Sequence, residues 1–201
     1  MRLRLCEAAL EMLCKVGYER LSMNVIVAQA RASRGAQTHH FPTKVDLLVG
    51  AFEHLLMRWE NSHRAFLAAQ PRPIALDTYL RHLWLNVFSK PTYVGAVELM
   101  LAARSDEVLR ERLHGVLAEW MKFRSSIWQQ IIGLPSATLS NDTFQSLNLC
   151  MLRGMAIHAS FNADDSVNNK LLEAWIVVAI KVITPDQALA RELEQAAEPP
   201  R

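Results

Sequence analysis

Between Ser22 and Phe41 the chain reads SMNVIVAQARASRGAQTHHF, which concentrates hydrogen-bonding side chains on one short segment. Ser33, Arg34, Gln37, Thr38 and His39 offer two hydroxyls, a guanidinium, a carboxamide and an imidazole within seven residues. Bond-breaking chemistry has little to work with elsewhere. There is no HExxH, no GxSxG, no Gly-rich phosphate loop and no His/Cys cluster, and the seven histidines are scattered. The closest carboxylate pair, Asp164-Asp165, falls at an expected helix junction, where capping and solvation account for it. No catalytic residue, metal or cofactor is therefore expected. What the segment can do is recognise a surface. Ser22 is a good N-cap for a short helix ending near Gln29, and Ser33 caps another running from Arg34 to about His40. Two short helices joined by a three-to-four-residue turn form the geometry in which the second enters a DNA major groove while the first crosses the backbone.

Helices must hold that segment in place, and apolar periodicity supplies them nearly end to end. The first covers about 2–16, with Leu3, Cys6, Ala9, Leu10 and Leu13 on one face and Gly17 as its stop. After Pro42 a long helix from Thr43 carries Leu47, Leu48, Ala51, Phe52, Leu55, Leu56 and Trp59, and persists to about Leu67. Gln-Pro-Arg-Pro at 70–73 is the clearest break. Beyond it lie a helix with Tyr79, Leu80, Leu83, Trp84, Val87 and Phe88 on one stripe, another opened by Pro91, and a long one starting at Asp106 and ending at Gly133 and Pro135. Two more follow at about 141–161 and 166–183, then a charged, Ala-rich tail suited to a final short helix. No stretch alternates with period two over strand length. The expectation is an all-α protein of nine or ten helices, divided into a head at 1–46 and a larger body at 47–201.

Composition agrees with a soluble helical chain: 51% apolar and 21% charged residues, with few Gly and Pro. The net charge is only +2, but it is unevenly spread. Residues 1–45 carry seven Lys or Arg against three Glu, a net +4, and the rest of the chain is mildly acidic at −2. A basic head on an acidic body is the electrostatic footprint of a DNA-binding module. The apolar residues near the N-terminus are interrupted by Glu7, Glu11 and Lys15, unlike a signal peptide, and the run Trp175–Ile180 is too short to span a bilayer. A cytoplasmic protein with no membrane partner is expected. Cys6, Cys14 and Cys150 lack metal-ligand spacing and read as reduced, mostly buried small hydrophobes.

The first fifty-odd residues resemble the N-terminal domain of the tetracycline-repressor (TetR) family. The likeness is carried by Ala8-Ala9-Leu10, Leu13, Gly17-Tyr18, Ser22, Ile26, Ala30, Ser33, Gly35, His40-Phe41-Pro42, Lys44 and Leu47-Leu48. The stretches PTYVGAVELMLAARSDEVLRERL and LRGMAI extend it loosely into the body. The resemblance implies that the helix from Arg34 to His40 is the reader. Arg34 then addresses guanine or a phosphate, Gln37 adenine N6 and N7, Thr38 a thymine methyl or phosphate, and His39 the backbone. Ser22 and Lys44 fall where family members hold the flanking phosphates. Ala36, Phe41 and Ile26 are expected to be core. The sequence departs from the family pattern at Val27, which replaces a small residue, at Thr38, which replaces a Tyr, and at Arg31, which stands where a left-handed turn usually takes Gly.

A single reader helix covers few base pairs, so the resemblance also implies a dimer on a palindromic or near-palindromic operator. The apolar run at 175–183 faces nearly all round, which suits burial against its own domain on one side and a second copy on the other. Met155, Trp175, Val178, Ala179 and Val182 are the candidate interface residues. A pocket for a small apolar effector is expected in the body, with Trp84, Glu98, Met100, Trp120, Met121, Met151 and His158 as candidate lining. Together these imply a ligand-responsive repressor in which the effector favours the conformation with misplaced readers, acting through the helix that begins at Thr43. A helical ligand-binding or interaction protein whose head reads no specific DNA is the alternative class.

Overall fold

The structure is a computed structural model, and it describes residues 1–131, 140–162 and 164–183. Among these residues it is all-helical, with no strand. In chain order the elements are α1 (Arg2–Arg20), α2 (Met23–Gln29), α3 (Arg34–His40), α4 (Lys44–Ala69), α5 (Leu76–Leu83), α6 (Pro91–Ala102), α7 (Glu107–Ile131), α8 (Asn141–Phe161) and α9 (Asp165–Ile183). A π-helical stretch, Trp84–Phe88, continues α5. The stop expected at Gly133 and Pro135 and the short helix expected after Pro185 lie outside the described residues.

The local signals read from the sequence account for most boundaries. Ser22 Oγ accepts from Val25 N–H and Ser33 Oγ from Ala36 N–H, so both expected caps are made. Thr43 and Asp46 cap α4 reciprocally: Thr43 N–H donates to Asp46 Oδ2 at 2.9 Å, and Asp46 N–H donates to Thr43 Oγ1 at 3.1 Å. Asp106 opens α7 by accepting from Leu109 N–H at 2.9 Å. Asp164 opens α9, accepting from Ser166 N–H at 2.8 Å, which gives the 164–165 carboxylate pair its capping role. Gly17 adopts φ 73° and ψ 169°, a left-handed-side conformation that interrupts α1 where a stop was expected, although one further helical turn follows to Arg20.

Packing divides the chain into two compact units. The first comprises Met1–Ala68 and Ser89–Lys122; the second comprises 69–88 and the described residues from Phe123 onward. These units cut across the division expected after residue 46. In the first unit, α1 buries Leu5, Cys6, Ala8, Ala9, Leu10 and Leu13, while Leu3, expected on that face, is exposed. α1 packs on α6 so closely that a Cβ at Gly95 would lie 3.2 Å from Cys14 Sγ. Helix α4 buries all seven expected apolar residues, and Trp59 on it meets the rings of Tyr93 at 5.7 Å and Trp120 at 6.0 Å.

In the second unit Trp128 is the centre of the core. The rings of Tyr79 and Phe144 meet it edge-on at 5.2 and 5.6 Å. Helices α8 and α9 are joined by a hydrogen bond from Trp175 Nε1 to Asn148 Oδ1 at 2.8 Å, and α5 is joined to α9 by a forked Arg81–Glu173 ion pair. The three cysteines are free, as expected, but only Cys6 is buried; Cys14 and Cys150 are exposed.

Candidate nucleic-acid interface

Helices α2 and α3 stand beside α1, and the turn between them departs from the usual chemistry. Arg31 sits there at φ 48°, the left-handed conformation that a non-Gly residue adopts at roughly 1 kcal/mol. Two backbone bonds fix it: Arg31 N–H donates to Ala28 O and Ala32 N–H to Val27 O, each at 3.1 Å. These are the paired bonds of a Schellman ending. A third element holds the turn from outside. The guanidinium of Arg4, on α1, donates to Ala30 O at 2.5 Å and to Arg31 O at 3.2 Å. Arg4 had counted only as part of the head's positive charge; nothing in its spacing signalled this clamp.

The turn sets α3 with Arg34, Gly35, Thr38 and His39 exposed and Ser33 exposed at its N-terminus. Arg34 carries no ion pair among the described residues. Thr38 is exposed, and its Oγ1 donates back to Arg34 O at 3.0 Å, which leaves the hydroxyl oxygen free to accept. The rings of His39 and His40 meet edge-on at 5.1 Å. Arg34, Thr38 and His39 thus form one polar edge, together with the capping hydroxyl of Ser33.

Gln37 does not join that edge. It is 5% exposed, the one residue α3 buries, and its Nε2 donates to the carbonyl of Phe41. The expectation that Gln37 addresses adenine is corrected accordingly: its position on α3 faces the head's interior, as Ile26 and Phe41 do. A helical wheel over only seven residues leaves a polar residue's side ambiguous, which is why the sequence misplaced it.

Ser22 is exposed at the start of α2, but Lys44 is held rather than free. Its Nζ lies 4.3 Å above the Tyr18 ring and donates to Tyr18 O at 3.3 Å. Burial pushes the ammonium pKa down, against a smaller upward pull from Glu19 and Asp106. Tyr18 is gripped from other sides as well: its N–H donates to Glu98 Oε2 at 3.2 Å, and its hydroxyl lies 3.5 Å from Asp106 Oδ2. Asp46 pairs with Arg112 on α7. The start of α4 is therefore tied to α1, and through Tyr18 and Arg112 to α6 and α7, inside the first unit.

These contacts correct part of the expected ligand pocket. Glu98 is spent on the Tyr18 amide beside Gly17, Trp120 stacks on His63 at 5.9 Å, and Met121 is 58% exposed. Met100 is half-buried in the first unit and Trp84 is core in the second. Met151 and His158 are exposed, and they share an open apolar groove of about 650 Å³ across α8 and α9 with four of the expected interface residues, Met155, Trp175, Val178 and Val182. Ala179 is fully buried in its own chain and is not available to a partner, which corrects the fifth.

Known proteins bear on this arrangement. Residues 5–51 match the model of the bacterial regulatory proteins of the tetR family. The chain is 29% identical over 178 residues to the HTH-type transcriptional regulator CymR of Pseudomonas putida, covering 85% of this chain and 86% of that protein. Its fold is similar to that of a TetR transcription regulator from Haloarcula marismortui, with TM-score 0.67 and 20% identity over 90% of this chain and 95% of the other. It is also similar to the regulator FadR from Bacillus subtilis, solved in complex with stearoyl-CoA, with TM-score 0.60 and 16% identity over 88% and 98%. Residues 5–51 thus carry the capped helix-turn-helix of the bacterial tetR-family regulatory proteins, and the chain as a whole is similar in sequence to an HTH-type transcriptional regulator and in its all-helical fold to TetR regulators.

Proposed function

We propose that the chain is a homodimeric repressor that binds a palindromic or near-palindromic operator through α3 and is released by a small apolar effector. The observation that carries this reading is the exposed polar edge of Arg34, Thr38 and His39, set on a helix whose N-terminus is capped by Ser33. Residues 1–46 act as the head and 47–201 as the body, with α4 leading the chain from one to the other. The groove across α8 and α9 supports dimer formation, because it leaves Leu147, Leu171 and Val178 exposed to water in the single chain. The acyl-CoA bound by the Bacillus subtilis FadR supports an apolar effector for a body of this fold. A cytoplasmic location fits a DNA-binding role, and no helix among the described residues is long and apolar enough to cross a membrane.

A mobility-shift assay with the intergenic DNA upstream of its own gene tests this reading. Sequence-selective binding that weakens with salt, and weakens further in Arg34→Ala, is expected. Binding with a salt slope but no sequence preference would move the assignment to a helical ligand-binding protein with a degenerate head. Two observations favour that second reading: Gln37 is withdrawn from the edge, and the Thr38 hydroxyl is engaged by its own helix.

A further inference from the structure

We infer that Gln37 is a positioning residue, which sets the pitch of the reader helix by closing the chain's exit from α3 and reads no base itself. The inference rests on the proposal that α3 meets DNA. Two hydrogen bonds at that exit and the packing of Phe41 carry it. The backbone N–H of Phe41 donates to Gln37 O at 2.7 Å, and the Gln37 side-chain amide donates back to Phe41 O. One residue thus holds both polar groups of the residue that ends the helix. Phe41 is in turn fixed as a plug: it is buried, a Cβ on Gly50 would lie 2.7 Å from its ring, and the Arg2 guanidinium covers the ring at 5.1 Å.

The geometry makes this pair the hinge of the reader. Phe41 has extended backbone, φ −144° and ψ 94°, so the chain turns sharply between α3 and the plug. The direction of that turn decides where Arg34, Thr38 and His39 point relative to α1. Without the Gln37 amide, the Phe41 carbonyl loses its side-chain donor at a buried place, and the exit can relax. A purely apolar side chain at 37 fills the space without restoring that bond. Only a donor long enough to reach Phe41 O from one helical turn back can do so.

The test uses the full chain, with Gln37→Leu and Gln37→Glu compared against wild type, and as probe the duplexes each protein enriches from a randomised DNA library. Leu conserves the buried volume, while the Glu carboxylate presents an acceptor to an acceptor. The expected result for Gln37→Leu is the same enriched sequence as wild type, bound about tenfold more weakly at every base-pair variant, with an unchanged salt slope. Gln37→Glu should be weaker still near neutral pH and recover towards the Leu variant or beyond as acid protonates the carboxyl, which then donates. An enriched sequence altered at one base pair per half-site would overturn the inference, because it would make Gln37 a reader. Unchanged affinity in both variants would overturn it too. Failure of the wild-type protein to enrich any sequence would instead remove the DNA-binding reading, and the inference with it. Thermal melts of both variants confirm that the affinities compare folded proteins.

Discussion

The guanidinium of Arg4 reaches 26 residues along the chain to donate to the carbonyl of Ala30, at the start of the turn where Arg31 holds a left-handed backbone. The two arginines oppose each other energetically. Arg31 strains the turn by roughly 1 kcal/mol, and Arg4 offsets that by satisfying the carbonyls a helix end leaves open. Arg31→Gly should therefore raise the stability of the free protein by about 1 kcal/mol, a Tm shift of roughly 2–4 °C for a chain of this size. Arg4→Ala should lower it by about 1–2 kcal/mol. The Arg4→Ala loss should shrink when Gly already occupies position 31, since a relaxed turn depends less on the clamp. Calorimetry on the two single variants and the double variant checks this; strict additivity would show that clamp and strain are unconnected.

His82 gives the second unit a pH dependence of definite sign. Burial pushes its pKa down from 6.5 to about 4, and its Nδ1 lies 3.1 Å from the Asn86 amide nitrogen, an arrangement suited to a neutral ring accepting there. The unfolded chain thus binds more protons than the folded one between those two values. The stability this group contributes is complete above pH 6.5 and is lost progressively as pH falls towards 4, by about 3 kcal/mol in total. Carboxylates held low by their partners act in a different window. Hydrogen bonds from Arg112 and Thr43 hold Asp46 down, so its contribution is complete above the ordinary carboxylate range and is lost as pH falls through that range towards the lowered folded value. Urea unfolding of wild type and His82→Gln between pH 7.5 and 5 should show a falling stability in the former and a flatter line in the latter. Parallel lines would place the proton uptake elsewhere.

Much of this architecture was legible in the residues. Ser22, Ser33, Asp106 and the 164–165 pair announced their helix starts because a capping side chain acts within three residues of itself. The apolar face of α4 was legible for the same reason, since a 3.6-residue period persists over many turns. What stayed hidden depends on contacts between distant segments. Arg4 on the Ala30 carbonyl, Glu98 on the Tyr18 amide and Asn148 on the Trp175 indole join residues 26, 80 and 27 positions apart. Short helices hid the rest: over seven residues, one polar side chain on the wrong side of α3 leaves no periodic trace, and Gln37 was misplaced for that reason.

The groove across α8 and α9 makes a prediction about assembly. Val178 is about half exposed on its wall, beside Leu171, Met151 and His158, with the Trp175 indole fixed by Asn148. A charge there leaves the single chain little changed, because the side chain already meets water, yet it opposes burial against a second copy. Val178→Asp should convert a wild-type species of twice the 22.8 kDa chain mass into one of single chain mass, with Tm becoming independent of protein concentration. Sedimentation velocity reads this directly. Wild type already sedimenting as a single chain at tens of micromolar would remove the dimer from the proposal.

Gly35 offers a test that separates folding from the proposed contact with a duplex. It lies exposed within α3, and a Cβ built on it would meet nothing within 4 Å. No turn or packing contact inside the chain explains a glycine there, and a helix favours Ala over Gly by about 0.5–1 kcal/mol. The free protein would thus gain from Gly35→Ala, and no contact among the described residues accounts for the glycine. A closely approaching DNA surface would supply a reason, because a methyl group between Arg34 and the groove floor would hold the reader off by more than the slack in a hydrogen bond. Gly35→Ala should melt at the same temperature or slightly above wild type and bind the enriched duplex about tenfold more weakly. The opposite pattern, equal affinity with equal or higher stability, would mean that this side of α3 does not approach the bases, and Arg34 would then be acting on phosphates from the rim.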